Sequence, residues 1–191
     1  MKKILVLNFS PRKKGNATAL TEAMAAEINA SGGEAAVYTV ADFTVNPCQA
    51  CAACKKQDVP SCVQEDDFAA LIPELDACDG MIFASPIYFG RITGTAKNFI
   101  DRLYCYFNPA IGPMFTKKEQ KRLAVVMPFG GGDGAVYQKE AEWLGDCLEI
   151  IGVTEMKSLL QGNLNDLWTE KDPCRQALFT DAQALARWVA E

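Results

Sequence analysis

A doubly wound α/β fold on a five-stranded parallel sheet, with strand order 2-1-3-4-5, is the fold class this sequence predicts. Three observations carry that expectation: short apolar runs without polar interruption, amphipathic segments between them, and loops of unusual composition after the first, third and fourth runs. Uninterrupted runs of this kind read as strands covered on both faces, and their alternation with helices is how parallel sheets are connected. In such sheets ligands bind beyond the carboxyl ends of the strands, where the strand order reverses. The three unusual loops should therefore converge.

The elements follow in order. Residues 3–8 (KILVLN) are the first strand, closed by Ser10-Pro11. A helix is expected over 17–30, with Leu20, Met24, Ala25 and Ile28 at helical spacing and Ser31-Gly32-Gly33 as its stop. The second strand spans 35–40, and residues 41–64, rich in Cys, Asp, Pro and Lys and without sustained period, read as a long functional loop. Glu65, Asp66 and Asp67 are expected to open a helix that runs to 77, placing acidic groups at its positive end. A third strand over 80–85 again ends in Ser-Pro, and a helix over 92–104 carries Ala96, Phe99, Ile100 and Leu103 on one face. Residues 104–116 are aromatic, broken by prolines and aperiodic, a candidate cofactor cover or subunit contact. A strand at 122–128, a helix at 135–151, a strand at 154–160 and a helix at 173–190 complete the pattern.

At 191 residues, 49% of them hydrophobic, the chain can bury one sizeable core, and a single domain over 1–191 is expected. A net charge of -5 gives no overall field to attract nucleic acid or an anionic membrane. Residues 4–7 are too short an apolar run for an export signal, and no run approaches the roughly 18 apolar residues of a membrane span, so a cytoplasmic protein is expected. The chain has no histidine. That removes Ser-His and Cys-His catalysis and a histidine general base, and shifts the chemistry to a cofactor or to carboxylate, thiol, tyrosine or lysine groups.

The first loop, Ser10-Pro-Arg-Lys-Lys-Gly-Asn-Ala-Thr18, lies between a buried strand and a helix N-terminus, where backbone N–H groups and the helix dipole favour an anion. Ser10, Asn16 and Thr18 can add hydrogen bonds and Arg12 adds charge. The loop lacks the patterns of nucleoside triphosphate and dinucleotide sites, which leaves a phosphate monoester such as that of FMN. An ordinary turn with a capping side chain is the competing reading. The second loop, Ser85-Pro86-Ile87-Tyr88-Phe89-Gly90, offers adjacent aromatics as a wall for a planar ring, or as residues that merely close the core. The third, Phe129 with Gly130, Gly131 and Gly132, can turn backbone N–H groups toward the negative charge of a reduced flavin. Gly130, Gly132 and Ala135 also match G-x-G-x-x-A, but after the fourth strand and with Asp133 inside the motif, where it would repel a pyrophosphate.

With these residues assembled, the motifs SPRKKGN at 10–16, SPIYFG at 85–90, KNFIDR at 97–102 and the GGG loop resemble the NAD(P)H-dependent FMN reductases, and more narrowly the iron-sulfur flavoproteins, over about the first 135 residues. The resemblance implies a flavodoxin-like fold, with Ser10, Arg12, Asn16, Ala17 and Thr18 at the FMN phosphate, and Pro86 to Gly90 together with Phe129, Gly130 and Gly131 at the ring. Ala17 departs from the pattern, since many members carry Ser or Thr there. It also implies a homo-oligomer, dimer or tetramer, with the flavin near an interface.

Cys48, Cys51, Cys54 and Cys62 form C-x2-C-x2-C-x7-C, a tetrathiolate that suits a 4Fe-4S cluster and resembles the cluster motif of iron-sulfur flavoproteins. Buried apolar thiols, a zinc site and redox-active cysteines compete with that reading. Cys78, Cys105, Cys147 and Cys174 have no mutual spacing and read as core residues, and Trp143, Trp168 and Trp188 as packing or subunit contacts. The expected activity is hydride transfer from NAD(P)H to bound FMN, with electrons passed to a small-molecule or redox-protein acceptor. A flavodoxin-like one-electron carrier and a Rossmann-type NAD protein using the GGGDGA loop are the alternatives.

Overall fold

The computed structural model describes residues 1–114, 120–164 and 172–191. Phe115, Thr116 and Trp168 lie outside the described residues. The chain runs β1 (Lys3–Asn8), α1 (Asn16–Ala30), β2 (Glu34–Thr39), α2 (Phe68–Ala77), β3 (Gly80–Ala84) and α3 (Gly94–Arg102). It continues through the short strands β4 (Phe107–Asn108) and β5 (Gly112–Pro113), then β6 (Lys121–Pro128), α4 (Gln138–Leu148), β7 (Val153–Gln161) and α5 (Pro173–Ala190). The five long strands pair in parallel in the order β2-β1-β3-β6-β7. With the antiparallel ribbon β4-β5 set aside, that is the expected 2-1-3-4-5 sheet.

Alternate side chains of the central strands feed two cores, which is why these runs carry no polar interruption. Leu5, Leu7, Met81, Phe83, Leu123 and Val125 face one core with Phe68 and Leu71 of α2, Phe99 of α3 and Leu144 of α4. Ile4, Val6, Ile82, Ala84, Ala124 and Val126 face the other, with Leu20, Met24 and Ile28 of α1 and Leu178, Ala182 and Leu185 of α5. Each large apolar side chain so covered contributes roughly 1.5–3 kcal/mol.

Three helices differ from the sequence-based expectation; α4, expected over 135–151, spans 138–148 between 3-10 turns at 134–137 and 149–151. Helix α2 begins at Phe68 rather than at residue 65, because Asp66 and Asp67 turn away to accept hydrogen bonds from Asn46 and Thr44 of the preceding loop. The helix expected over 92–104 spans 94–102, and residues 103–106 tighten into a 3-10 turn that leads into β4. That ribbon has two residues per strand, too few for a period in the sequence. No helix among the described residues is long and apolar enough to cross a membrane.

Candidate functional site

The first loop is organised from below by Asn8, the last residue of β1, whose side chain is buried. Its carboxamide oxygen accepts the Ser10 N–H at 3.0 Å, and its NH₂ donates to the Thr18 hydroxyl at 3.1 Å. Thr18 in turn donates to the Arg12 carbonyl at 2.9 Å, while the Ser10 hydroxyl accepts the Arg12 N–H at 3.2 Å. Helix α1 then opens behind Gly15 with no side chain capping it. Its first-turn N–H groups have neither an intrahelical partner nor a side-chain cap, which suits an anion.

The second loop is held to the first by Thr93. Its hydroxyl donates to the Phe9 carbonyl at 3.1 Å, its amide donates to the Ser85 hydroxyl at 3.1 Å, and it caps α3 by accepting the Ala96 N–H. Between Ser85 and Thr93 the chain makes a tight turn in which Tyr88 and Arg91 exchange backbone hydrogen bonds of 2.8 and 3.2 Å. The turn residues Phe89 (φ 50°) and Gly90 (φ 83°) both sit in the left-handed region, and Phe89 is fully exposed. An aromatic residue there carries strain of order 1–3 kcal/mol.

The third loop lies against the end of β7 through two glycines. A Cβ on Gly134 would stand 2.1 Å from the Leu160 carbonyl oxygen, and one on Gly162 2.0 Å from that of Gly132. The Gly132 N–H is donated to the Asn163 side chain at 3.1 Å, and Asp133 caps the following turn through the Ala135 N–H at 2.9 Å. The G-x-G-x-x-A match therefore gives no pyrophosphate cradle: its central N–H is occupied and its helical entry is capped by a carboxylate.

The three loops enclose one cavity of about 370 Å³ at the carboxyl ends of β1, β3 and β6, within the range of small-ligand pockets. Ser10, Arg12, Asn16, Ala17, Pro86, Ile87, Tyr88, Phe129 and Gly130 line it. Thr18, Phe89, Gly90 and Gly131 do not. Thr18 is spent on the turn beneath, and Phe89 and Gly90 form the exposed tip of the second loop. Gly15, Pro128 and Leu164 also line the wall and were not singled out from sequence. Asn163, at φ 60°, precedes Leu164. Only the positive-φ tolerance of Asn marks that segment in the sequence.

The cysteine loop lies along α3 away from this cavity: Cys48 and Ala50 line a separate one with Ile100, Asp101, Leu103, Tyr104 and Cys147. Ala50 (φ 53°) and Ala52 (φ 56°) are left-handed within the Cys48 to Cys54 segment. Together with Phe89 and Asn163, they are the four non-glycine residues of positive φ among the described residues, and all four lie in candidate functional loops. Cys48 and Cys51 are exposed, whereas Cys54 and Cys62 are half-buried against the core. All eight cysteines are unbridged, and no three His, Cys, Asp or Glu side chains among the described residues are gathered as a metal site. As folded, the four thiols are not gathered as a cluster site. Of the other four, Cys78 and Cys105 are core residues as expected, Cys147 is half-buried and Cys174 is exposed on α5. Burial, with Cys54 and Cys62 nearby, pushes the Cys105 thiol up to about 12.

The loop is tied down by Arg102, whose guanidinium forms a bidentate ion pair with Asp66 and donates to the Asn46 carbonyl at 3.1 Å. It also packs over the Phe68 ring, 4.6 Å from its centroid. Burial alone would push Asp66 up, but the Arg102 hydrogen bonds and the amides of Asn46 and Phe68 leave its carboxyl below the usual range.

Comparison with known proteins gives the family and the fold. Residues 2–154 match the model of the family described as NADPH-dependent FMN reductase. An iron-sulfur flavoprotein of Archaeoglobus fulgidus is 37% identical over 204 aligned positions, covering 99% of this chain and 94% of that protein. Among solved structures, an NAD(P)H:quinone oxidoreductase from Methanothermobacter marburgensis superposes with a TM-score of 0.75 at 18% identity, covering 97% of this chain and 98% of that one. An FMN-dependent NADH-azoreductase from Bacillus anthracis, solved in complex with FMN, gives 0.72 at 14% identity with full coverage of both chains. The structural likenesses establish the flavodoxin-like fold, and the sequence matches establish the lineage: the chain belongs to the NADPH-dependent FMN reductase family, among relatives named iron-sulfur flavoproteins.

Proposed function

We propose that this protein binds FMN in the cavity at the ends of β1, β3 and β6, oxidises NAD(P)H through it, and delivers the electrons to a small-molecule or redox-protein acceptor. The single observation that carries the reading is the convergence of the three loops on one cavity with an anion-ready helix end at one side and an aromatic wall at the other. Ser10, Arg12, Gly15 and Asn16 are the residues that would hold the phosphate. Pro86, Ile87, Tyr88 and Phe129 would bound the ring, and Gly130 is the residue of the third loop placed to offer a backbone N–H at its edge. Bound FMN supplies the two-electron chemistry. The chain positions the donor, excludes water from the aromatic side, and supplies fixed dipoles where negative charge develops. No histidine is required.

The unbridged thiols suit a reducing compartment such as the cytoplasm. A 4Fe-4S cluster on Cys48, Cys51, Cys54 and Cys62 is the further reading, supported by their spacing and by the name of the Archaeoglobus relative. Iron and acid-labile sulfide in protein purified without oxygen test it. Steady-state oxidation of NADPH and NADH with quinone, nitro and azo acceptors tests the enzyme. Turnover supports it; no turnover with any acceptor, together with one-electron reduction by a ferredoxin reductase, would make the protein a carrier.

A further inference from the structure

The turn at 88–91 separates two cavities. Tyr88 lines the one already described, and three residues along Arg91 lines a second, of about 480 Å³, bounded also by Lys97, Val136, Lys139, Glu140 and Trp143. Three cations from three elements, the turn, α3 and α4, surround an indole there, in a chain whose net charge is -5. Lys97 is paired with Asp101, and Arg91 is held loosely by Glu140 at 3.4 Å. Lys139 has no carboxylate within ion-pair distance among the described residues, and it lies in the first turn of α4, where the helix dipole adds positive potential. Trp143, one turn further along α4, backs onto the core and presents a half-buried aromatic surface.

A donor such as NADPH has two ends, and the first cavity accounts for one. Its nicotinamide must meet the flavin ring, so the phosphates and adenosine must leave past the second or third loop. The third loop is closed to phosphate by Asp133 and by the bond from Gly132 to Asn163. The way past Arg91 is open and aromatic, and there three cations, Arg91, Lys97 and Lys139, outnumber the one lining carboxylate, Glu140.

From this we infer that the cavity between α3 and α4 is the subsite for the adenosine-phosphate end of NADPH, with Lys139 and Arg91 meeting the 2′-phosphate and Trp143 the adenine. Arg and Lys are the usual partners of phosphate oxygens, and the indole face suits a planar base. Phe89, strained and exposed at the tip of the dividing turn, is the edge over which the dinucleotide passes. The inference rests on NADPH as donor, and its test does not need turnover.

The probe is adenosine 2′,5′-bisphosphate, titrated by calorimetry into the FMN-loaded full-length protein. A single site is expected, weakened about tenfold or more in Lys139→Glu and in Trp143→Leu. Lys157→Glu, on the far face where Lys157 packs over Trp188, should bind like the parent protein. In turnover, Lys139→Glu should raise KM for NADPH about tenfold and KM for NADH by much less. Should Lys139→Glu fail to fold, Lys139→Gln carries the same test with a smaller loss. No binding by the parent protein, or binding that both variants leave intact, overturns the subsite and leaves the FMN site untouched. Binding with the expected losses but no NADPH oxidation upholds the subsite and removes the oxidoreductase reading instead.

Discussion

Arg102 and Asp66 form a two-pronged ion pair, Nη1 to Oδ2 at 2.7 Å and Nη2 to Oδ1 at 3.0 Å, with side chains only 1% and 3% exposed. It joins the last turn of α3 to the cysteine loop 36 residues earlier. Removing one partner strands the other charge in the core, so Asp66→Asn should destabilise the fold by about 3–5 kcal/mol in urea unfolding. The sign with pH follows from the depressed carboxyl. Its contribution is complete above the ordinary Asp range, near pH 4, and is lost as pH falls through the lower folded-state value. Acid unfolding of the parent protein should steepen below about pH 4, and Asp66→Asn should flatten that limb. Equal acid slopes in the two proteins would remove the pair from the stability account.

The first loop divides into residues that face the cavity and residues that hold it. Arg12→Ala should weaken FMN binding about 10- to 100-fold, the worth of one charge-assisted hydrogen bond, with little change in melting temperature. Thr18→Val should do the reverse: it leaves the buried Asn8 amide without its acceptor, removes one of the two hydroxyls that donate to the Arg12 carbonyl, and costs about 1–3 kcal/mol of stability, restored by Thr18→Ser. Flavin fluorescence quenching and thermal melts of the same samples separate the two. If Thr18→Val lost FMN affinity at full stability, its hydroxyl would belong to the ligand after all.

Thr18 shows where sequence reasoning stops. The strands were legible because both faces of β1, β3 and β6 are buried and their central residues, 4–7, 80–84 and 123–127, are accordingly apolar. The convergence of the three loops was legible because the strand order reverses beside them, where doubly wound sheets form their clefts. Which of Ser10 and Thr18 lines the cavity was not legible, since both hydroxyls bond the Arg12 backbone and only Ser10 reaches the wall. The start of α2 was misplaced because Asp66 looks like a helix-opening acid until Arg102 is seen to claim it. The left-handed Ala50, Ala52 and Phe89 have no signature of their own.

Phe89 invites a direct test of strain kept for function. Phe89→Gly should leave stability within about 1 kcal/mol of the parent protein, since relief of the left-handed strain offsets the added freedom of the unfolded chain. It should also lower kcat/KM for NADPH. A clear loss of stability with unchanged kinetics would make Phe89 a packing residue.

Thiol chemistry should follow burial. At pH 8, where the buried Cys105 thiol lies far below its titration near 12, a disulfide reagent should modify Cys48, Cys51 and Cys174 quickly and leave Cys78 and Cys105 untouched in folded, iron-free protein. Peptide mapping after a timed quench gives the order. Fast labelling of Cys105 would mean that the segment leading into β4 opens readily.

The central claim is that the three loops hold one FMN. Equilibrium titration of FMN into cofactor-stripped protein, followed by flavin fluorescence, reads it most directly. One FMN per chain is expected, with affinity lost in Arg12→Ala and in a Gly130→Asp variant and kept in Lys157→Glu. No saturable quenching, or an affinity that Arg12 and Gly130 do not influence, would place the flavin elsewhere and contradict the account.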